Sequence, residues 1–383
     1  MAFTGKFPKE NQKIDKEPID LIICSSCELV QLGHSFDLKY LYGPDYGYRT
    51  GINKTMTNHV KGVVKYLSRS TKLKKNDHVL DIASNDGTLL NFYNRNIITF
   101  GIDPVLNKYI ESYKNINYKV SNFFSANKVQ EKVKKKFKII TALSVFYDAA
   151  NPNLFLKDVK KLLIKDGIFL LEFADLASII KYKMFDTICH EHLEYYSTKV
   201  IINLCLKNGL RVFDIKQNEI NGASKQFFVC HNDSKYKNNN KVINKVLNSE
   251  KKLKLANETT FKKFIKEINY SKKKLVTFLK KEKKTGKKIH CYGASTKGNV
   301  LLQYYNIDNK LIDFVSERNK NKYGLFTPGT SIRIISEIVS RFYNPHYYLV
   351  LPWHFKKEIL LREKTIRKKG TKFIFPLPKL TIV

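Results

Sequence analysis

Apolar residues along this chain gather into short runs, each closed by small or polar residues and followed by a stretch with helical spacing. A helical pattern from Asn58 to Leu67 precedes the run Asp77-His-Val-Leu-Asp-Ile82, which ends in a small-residue turn. A helix is then predicted over Thr88-Leu-Leu-Asn-Phe-Tyr93, which makes a strand, loop, helix unit. Further runs at Ile97–Ile102, Phe137–Leu143 and Gly167–Phe173 are separated by helical segments. Such alternation predicts an α/β domain with a parallel, doubly wound sheet. The Asn/Lys-rich stretch 232–241 marks a loop or domain boundary, and a long Lys-rich helix after it is expected to link two domains. A second strand, loop, helix unit follows at Lys288–Leu302. With strand candidates at Leu311–Val315, Tyr347–Leu351 and Thr371–Phe375, it predicts another α/β domain. The first fifty or so residues are rich in turn formers and read as a small irregular lead-in. The expected division is 1–56, 57–235 and 236–383.

Of the residues, 43% are hydrophobic, enough for substantial cores at this length, so disorder is not the expectation. The first ten residues lack a signal-peptide core and no apolar run reaches the length of a membrane span, so a soluble cytoplasmic protein is expected. Of the six cysteines only Cys24 and Cys27 are close in sequence, which gives no disulfide framework. The charge of +35, from 69 Lys and Arg against 34 Asp and Glu, would attract polyanions, acidic membranes or phosphorylated metabolites. The lysines are dispersed in short runs among Asn and Ile, as on a solvated surface, instead of forming one basic stripe with stacking aromatics. The expected partner is a small molecule and not a membrane, with a nucleic-acid-binding protein kept as an alternative.

Candidate chemistry sits in three places. In Asp81-Ile-Ala-Ser-Asn-Asp-Gly87, the small residues allow a tight turn after the first strand, with Ala83 where a dinucleotide fingerprint would have its first glycine. Asp103, at the end of the next strand, can accept hydrogen bonds from both ribose hydroxyls of a nucleoside. Together they favour S-adenosylmethionine over a dinucleotide, with Asp81, Ala83, Ser84, Asn85, Asp86, Gly87 and Asp103 as cofactor-binding candidates. Asn122 and Phe123 are candidates to flank the adenine. The second place is the segment Phe185–Ser197, where Cys189, His190, Glu191, His192 and Tyr195 crowd together. An imidazole with a pKa near 6.5 can take a proton at neutral pH; a polar structural cluster is the alternative, and a metal site comes last because His190 and His192 lack the four-residue spacing of helical zinc motifs. The third, Tyr292-Gly-Ala-Ser-Thr-Lys-Gly-Asn299, joins glycines, hydroxyls and a cation at a strand-to-helix turn. That is either a phosphate cradle or a tight turn with a solvated lysine. Cys24 and Cys27 alone are half of a four-ligand zinc site.

These motifs, with Cys24-Ser-Ser-Cys-Glu-Leu-Val-Gln-Leu32, Tyr48-Arg-Thr-Gly-Ile-Asn53 and Pro328-Gly-Thr330, resemble the sugar C-methyltransferase family through nearly the whole chain. That family includes enzymes that methylate C3 of nucleotide-linked 4-keto-deoxysugars. The resemblance implies a class I methyltransferase Rossmann-like domain over 57–235 and a C-terminal Rossmann-like domain over 236–383 that helps hold the nucleotide sugar. It also implies a zinc module at 1–56, here truncated or divergent because the family carries two C-x-x-C pairs. On the same ground His192 is the expected catalytic base, assisted by Glu191, with Tyr48 lining the pocket. Cys189, His190, Tyr195, Asn221, Ser295, Thr296, Lys297 and Asn299 are expected on the substrate side. The chain departs from the family at Cys189, commonly a tyrosine, and at Asn221-Gly-Ala-Ser224, where a histidine and paired glycines are usual. A small-molecule O- or N-methyltransferase of the same architecture is the alternative enzyme.

Overall fold

The computed structural model describes residues 1–43 and 46–383; Pro44 and Asp45 of the aromatic stretch 40–49 lie outside the described residues. A hairpin of β1 (Leu21–Ile23) and β2 (Val30–Leu32) opens the chain. The central sheet is built from β3 (His78–Ile82), β4 (Ile98–Ile102), β5 (Tyr118–Val120), β6 (Phe137–Leu143) and β7 (Leu163–Phe173). After the short β8 (Glu194–Tyr195) come β9 (Leu210–Asn218) and β10 (Ser224–His231). The third sheet comprises β11 (Ile289–Tyr292), β12 (Phe314–Glu317), β13 (Ile334–Ser336), β14 (Tyr347–Val350), β15 (Lys372–Phe375) and β16 (Thr381–Ile382).

The central sheet has the order β5-β4-β3-β6-β7-β10-β9, parallel from β5 to β7 and antiparallel at β10. It is the class I methyltransferase Rossmann-like arrangement, whose order reverses beside β3 and so opens a crevice at the strands' carboxyl ends. The third sheet repeats the scheme as β13-β12-β11-β14-β15-β16, parallel except at β16. Both units follow from the alternating runs, because strands buried on both faces must be apolar throughout. Helix Lys54–Ser70 shows the complementary pattern. Asn53 caps it by accepting from the Met56 amide, and Met56, Val60, Val63, Val64 and Leu67 form its buried face. That face packs on Val79, Ile139, Leu170 and Phe228 of the central sheet.

Two elements differ from the sequence-based expectation. The lead-in is ordered: β2 pairs antiparallel with β8, which joins the hairpin to the chain just after His192. Three-residue strands are too short to show a period. The helix expected over Thr88–Tyr93 is only one 3-10 turn at Leu90–Phe92. Thr88 Oγ1 is held by Asp86 at 2.6 Å, and the Asn91 amide donates to the carbonyls of Gly87 and Ser112. These local bonds compete with a helix, and few residues remain before β4 begins.

Residues 2–8 lie along the C-terminal domain. The Gln303 amide bonds both backbone groups of Ala2, at 2.8 and 3.2 Å, and the Phe326 amide donates to Pro8. The hairpin, segment 174–195 and the C-terminal sheet share one apolar core. Helix Glu258–Lys284 buries Phe264, Ile268, Leu275 and Leu279 in that core and leaves most of its lysines outside, so much of the basic charge is surface. Lys225, 2% exposed, meets Asp175 at 2.7 Å and also bonds Glu250, and so ties two helices to the central sheet. Among the described residues no helix is long and apolar enough to cross a membrane.

Candidate active site

The carboxyl ends of the central and C-terminal sheets face one cavity of about 640 Å³, which the 46–53 segment also lines. On the central-sheet side the chain turns after β3 with positive φ at Ala83 (55°) and Asn85 (51°). Asp103 Oδ2 accepts the Asn85 amide at 2.8 Å and Oδ1 accepts the Val105 amide at 2.7 Å. Burial pushes the Asp103 carboxyl up to about 6, against the pull of those two amides. Asp81 is pushed by burial up to about 7, opposed by a 2.6 Å bond from Thr141. Asp81, Ala83, Ser84, Asn85, Asp103, Asn122 and Phe123 all line the cavity. An acidic acceptor beside a tight small-residue turn, with an aromatic ring nearby, fits the adenosine of S-adenosylmethionine.

Asp86 and Gly87 are not in the lining. Asp86 Oδ2 accepts from the Gly51 amide at 3.0 Å and from Arg49 Nε at 3.1 Å, while Asn85 Oδ1 accepts the Thr50 amide at 2.9 Å. The motif's polar residues therefore strap the Tyr48–Gly51 segment over the loop, a role that local spacing does not reveal. Tyr48 sits on this strap at the cavity wall, 45% exposed. Gly87 (φ 71°) leaves no room for a Cβ, which would come within 2.8 Å of Ile116.

His192 and Glu191 line the same cavity. His192 Nδ1 lies 2.6 Å from the Thr187 carbonyl, which can only accept, so Nδ1 carries the proton and Nε2 keeps its lone pair. Its ring rests against Tyr147, 4.3 Å between centroids. Burial, aided by the Lys297 charge, pushes the imidazole down to about 3. Glu191 is buried and accepts from Thr4 Oγ1 at 3.1 Å. Asp148, which sequence reasoning missed, also lines the cavity beside Tyr42, Tyr46 and Tyr147. Burial holds its carboxyl well above the ordinary range, eased by a bond from Tyr42 and raised further by Glu191 and Glu194. Nothing around Asp148 in sequence marked it.

His190, two residues from His192, turns away from the cavity. Its ring packs against Phe3 and Phe36, and Nε2 lies 3.1 Å from the Glu17 carbonyl. Cys189 and Tyr195 are likewise buried outside the lining. Asn299 spends its amide on the Thr4 carbonyl at 2.7 Å. These four expected substrate-side residues thus lie outside the cavity lining, packed into the surrounding structure.

From the C-terminal domain, Ser295, Thr296 and Lys297 reach the cavity, and Ser295 caps helix Thr296–Tyr305 by accepting the Gly298 amide at 3.0 Å. Lys297 Nζ donates to the Asn221 carbonyl at 3.3 Å, while Asn221 Nδ2 donates to Ser144 at 3.1 Å. Arg318, Lys322, His354 and Arg362, none singled out from sequence, complete this wall. Cys24 and Cys27 are free thiols on the hairpin turn, and no group of three or more metal-ligating side chains occurs among the described residues. His34, a further candidate ligand near the pair, faces Asp20 at 3.2 Å. The described residues bring no set of four ligands together for zinc around Cys24 and Cys27.

A histidine that is to take a proton must start in its neutral form, and for His192 that is the imidazole present above its pKa. With that pKa near 3, kcat at saturating cofactor should show no acid limb between about pH 8 and pH 6, checked by a pH–rate profile. A limb in kcat centred near 6.5, with the cofactor Kd unchanged over the same range so that Asp81 and Asp103 are not its source, would mean that His192 titrates as a solvated histidine.

Residues 53–215 match the family described as a methyltransferase domain, and residues 219–378 match the C-methyltransferase C-terminal domain. The chain is 26% identical over 371 residues to the C-methyltransferase NovU of Streptomyces niveus, covering 96% of this chain and 87% of that protein. Among solved structures it is similar to an S-adenosylmethionine-dependent methyltransferase from Clostridium acetobutylicum. Identity there is 11%, with a TM-score of 0.37, 46% of this chain covered and 92% of that one. It is also similar to the magnesium protoporphyrin IX methyltransferase of Synechocystis, at 14% identity and a TM-score of 0.36, with 49% of this chain covered and 90% of that one.

Proposed function

We propose that this chain, an S-adenosylmethionine-dependent methyltransferase of the C-methyltransferase kind, methylates a carbon beside the keto group of a nucleotide-linked deoxysugar, with His192 as the base. The observation that carries the reading is the locked imidazole: Nδ1 is spent on Thr187, and Nε2 is free in the cavity that also holds Asp103.

A C–H bond next to a carbonyl is acidic enough for a positioned imidazole, whereas an isolated C–H bond is not. His192 Nε2 takes the proton, the C–H electron pair becomes the new double bond, and the carbonyl π pair moves to oxygen. S-adenosylmethionine, when bound, supplies an electrophilic methyl group, so the enolate carbon needs only to be held close and in line. Asp103 holds the ribose and the Ala83–Asn85 turn leaves room for it. Glu191 is a positioning residue, fastened to the N-terminal segment through Thr4. A nucleotide handle suits the opposite wall, where a helix N-terminus at Ser295 and the cations Arg318, Lys322 and Arg362 line the cavity.

The test is calorimetric titration with nucleotides and nucleotide sugars in the presence of S-adenosylhomocysteine. Selective, saturable binding of a nucleoside-diphosphate keto sugar is expected. Equal binding of any polyanion, falling steeply with salt, would contradict the sugar reading.

A further inference from the structure

We propose that Lys297 is a second catalytic residue, the electrophile that holds the acceptor's carbonyl oxygen as it gains charge while His192 removes the neighbouring proton. This rests on the keto-acceptor reading above and adds to it the partner that a base alone lacks. Taking a proton beside a carbonyl places negative charge on oxygen, and a fixed positive group aimed at that oxygen stabilises it.

Three observations point to Lys297. It lines the cavity that His192 lines, although the two come from different domains. Its one hydrogen bond, to the Asn221 carbonyl at 3.3 Å, is long, and it has no ion pair within 4.0 Å among the described residues. Two N–H groups are therefore left to donate. It is also the second residue of helix Thr296–Tyr305, in the first turn, where the dipole disfavours a cation. The ammonium and the helix terminus both add positive potential to one wall. Such an arrangement is costly when empty and is relieved by an anion.

The neighbours agree. Asp186 attracts Lys297 and opposes the downward pull of burial on it, yet Asp186 spends one oxygen on the Trp353 indole at 2.8 Å and forms no ion pair with the lysine. Lys297 also acts to hold His192 and His354 neutral, which places its charge close to both rings. In the enolisation step, the proton goes to His192 Nε2, the C–H pair forms the carbon–carbon double bond, and the carbonyl pair moves onto the oxygen facing Lys297 Nζ. No oxidant or further reactant is required.

The test separates proton removal from methyl transfer. A nucleoside-diphosphate-linked 4-keto-6-deoxyglucose is placed in heavy water with enzyme and S-adenosylhomocysteine, and deuterium uptake beside the keto group is followed by NMR. For Lys297→Gln, exchange should fall about 10²- to 10³-fold, while the Kd values for S-adenosylhomocysteine and the sugar stay within about threefold. Exchange at the wild-type rate, or a loss confined to sugar affinity, would overturn the inference and make Lys297 a binding residue. If Lys297→Gln no longer binds S-adenosylhomocysteine, Lys297→Arg decides. It keeps the charge and should exchange at about a tenth of the wild-type rate or faster, and complete loss would overturn the inference. Wild-type enzyme that binds the sugar without exchanging its proton would instead contradict the keto-acceptor reading, and this inference would fall with it.

Discussion

Replacing His192 with asparagine should lower kcat by about 10³- to 10⁴-fold and leave the Kd for S-adenosylmethionine within about twofold of wild type. Asparagine is the informative choice because its amide can still donate to the Thr187 carbonyl and preserve the local turn, but it offers no basic nitrogen. The cofactor residues hang from β3 and β4, and none of the bonds on Asp103 passes through His192. Steady-state kinetics with a calorimetric Kd would check both halves. Turnover equal to wild type would remove His192 as the base.

The second large effect is at the ribose. Asp103→Ala should weaken S-adenosylmethionine binding about a hundredfold or more, because two charge-assisted hydrogen bonds to ribose hydroxyls, at about 1.5–3 kcal/mol each, would be lost. The same change frees the amides of Asn85 and Val105, so the β3 turn loses its anchor as well. Asp103→Asn keeps one acceptor for an amide and should lose less. An unchanged Kd in the alanine variant would place the ribose elsewhere.

The architecture was readable because it rests on burial. Strands such as β3, β6 and β11, covered on both faces, must be apolar runs, and the turns between them need small or polar residues. Asp81 and Asp103 reach the cavity for a related reason, since one lies near the end of β3 and the other directly follows β4. Much of the rest depends on distant partners. His190 and His192 have similar neighbours in sequence, but Phe3 and Phe36, both far upstream in the N-terminal segment, claim the first and leave the second facing the cavity. Asp86 looked like part of a cofactor loop, yet Arg49 and Gly51 occupy its carboxylate. The Thr88–Tyr93 helix was lost to side-chain bonds from Thr88 and Asn91 that no period records. Asp148 gave no signal at all, since its surroundings are assembled from Tyr42, Glu191 and Glu194, all distant from it in the chain.

The most direct measurement of the central claim is the position of the transferred methyl group. Enzyme, a nucleoside-diphosphate 4-keto-deoxysugar and S-adenosylmethionine carrying a ¹³C-labelled methyl would be incubated and the product read by NMR. The account predicts a carbon-bound methyl on the atom beside the keto group, with the hydrogen at that position lost. A label on oxygen or nitrogen, with that hydrogen retained, would contradict it.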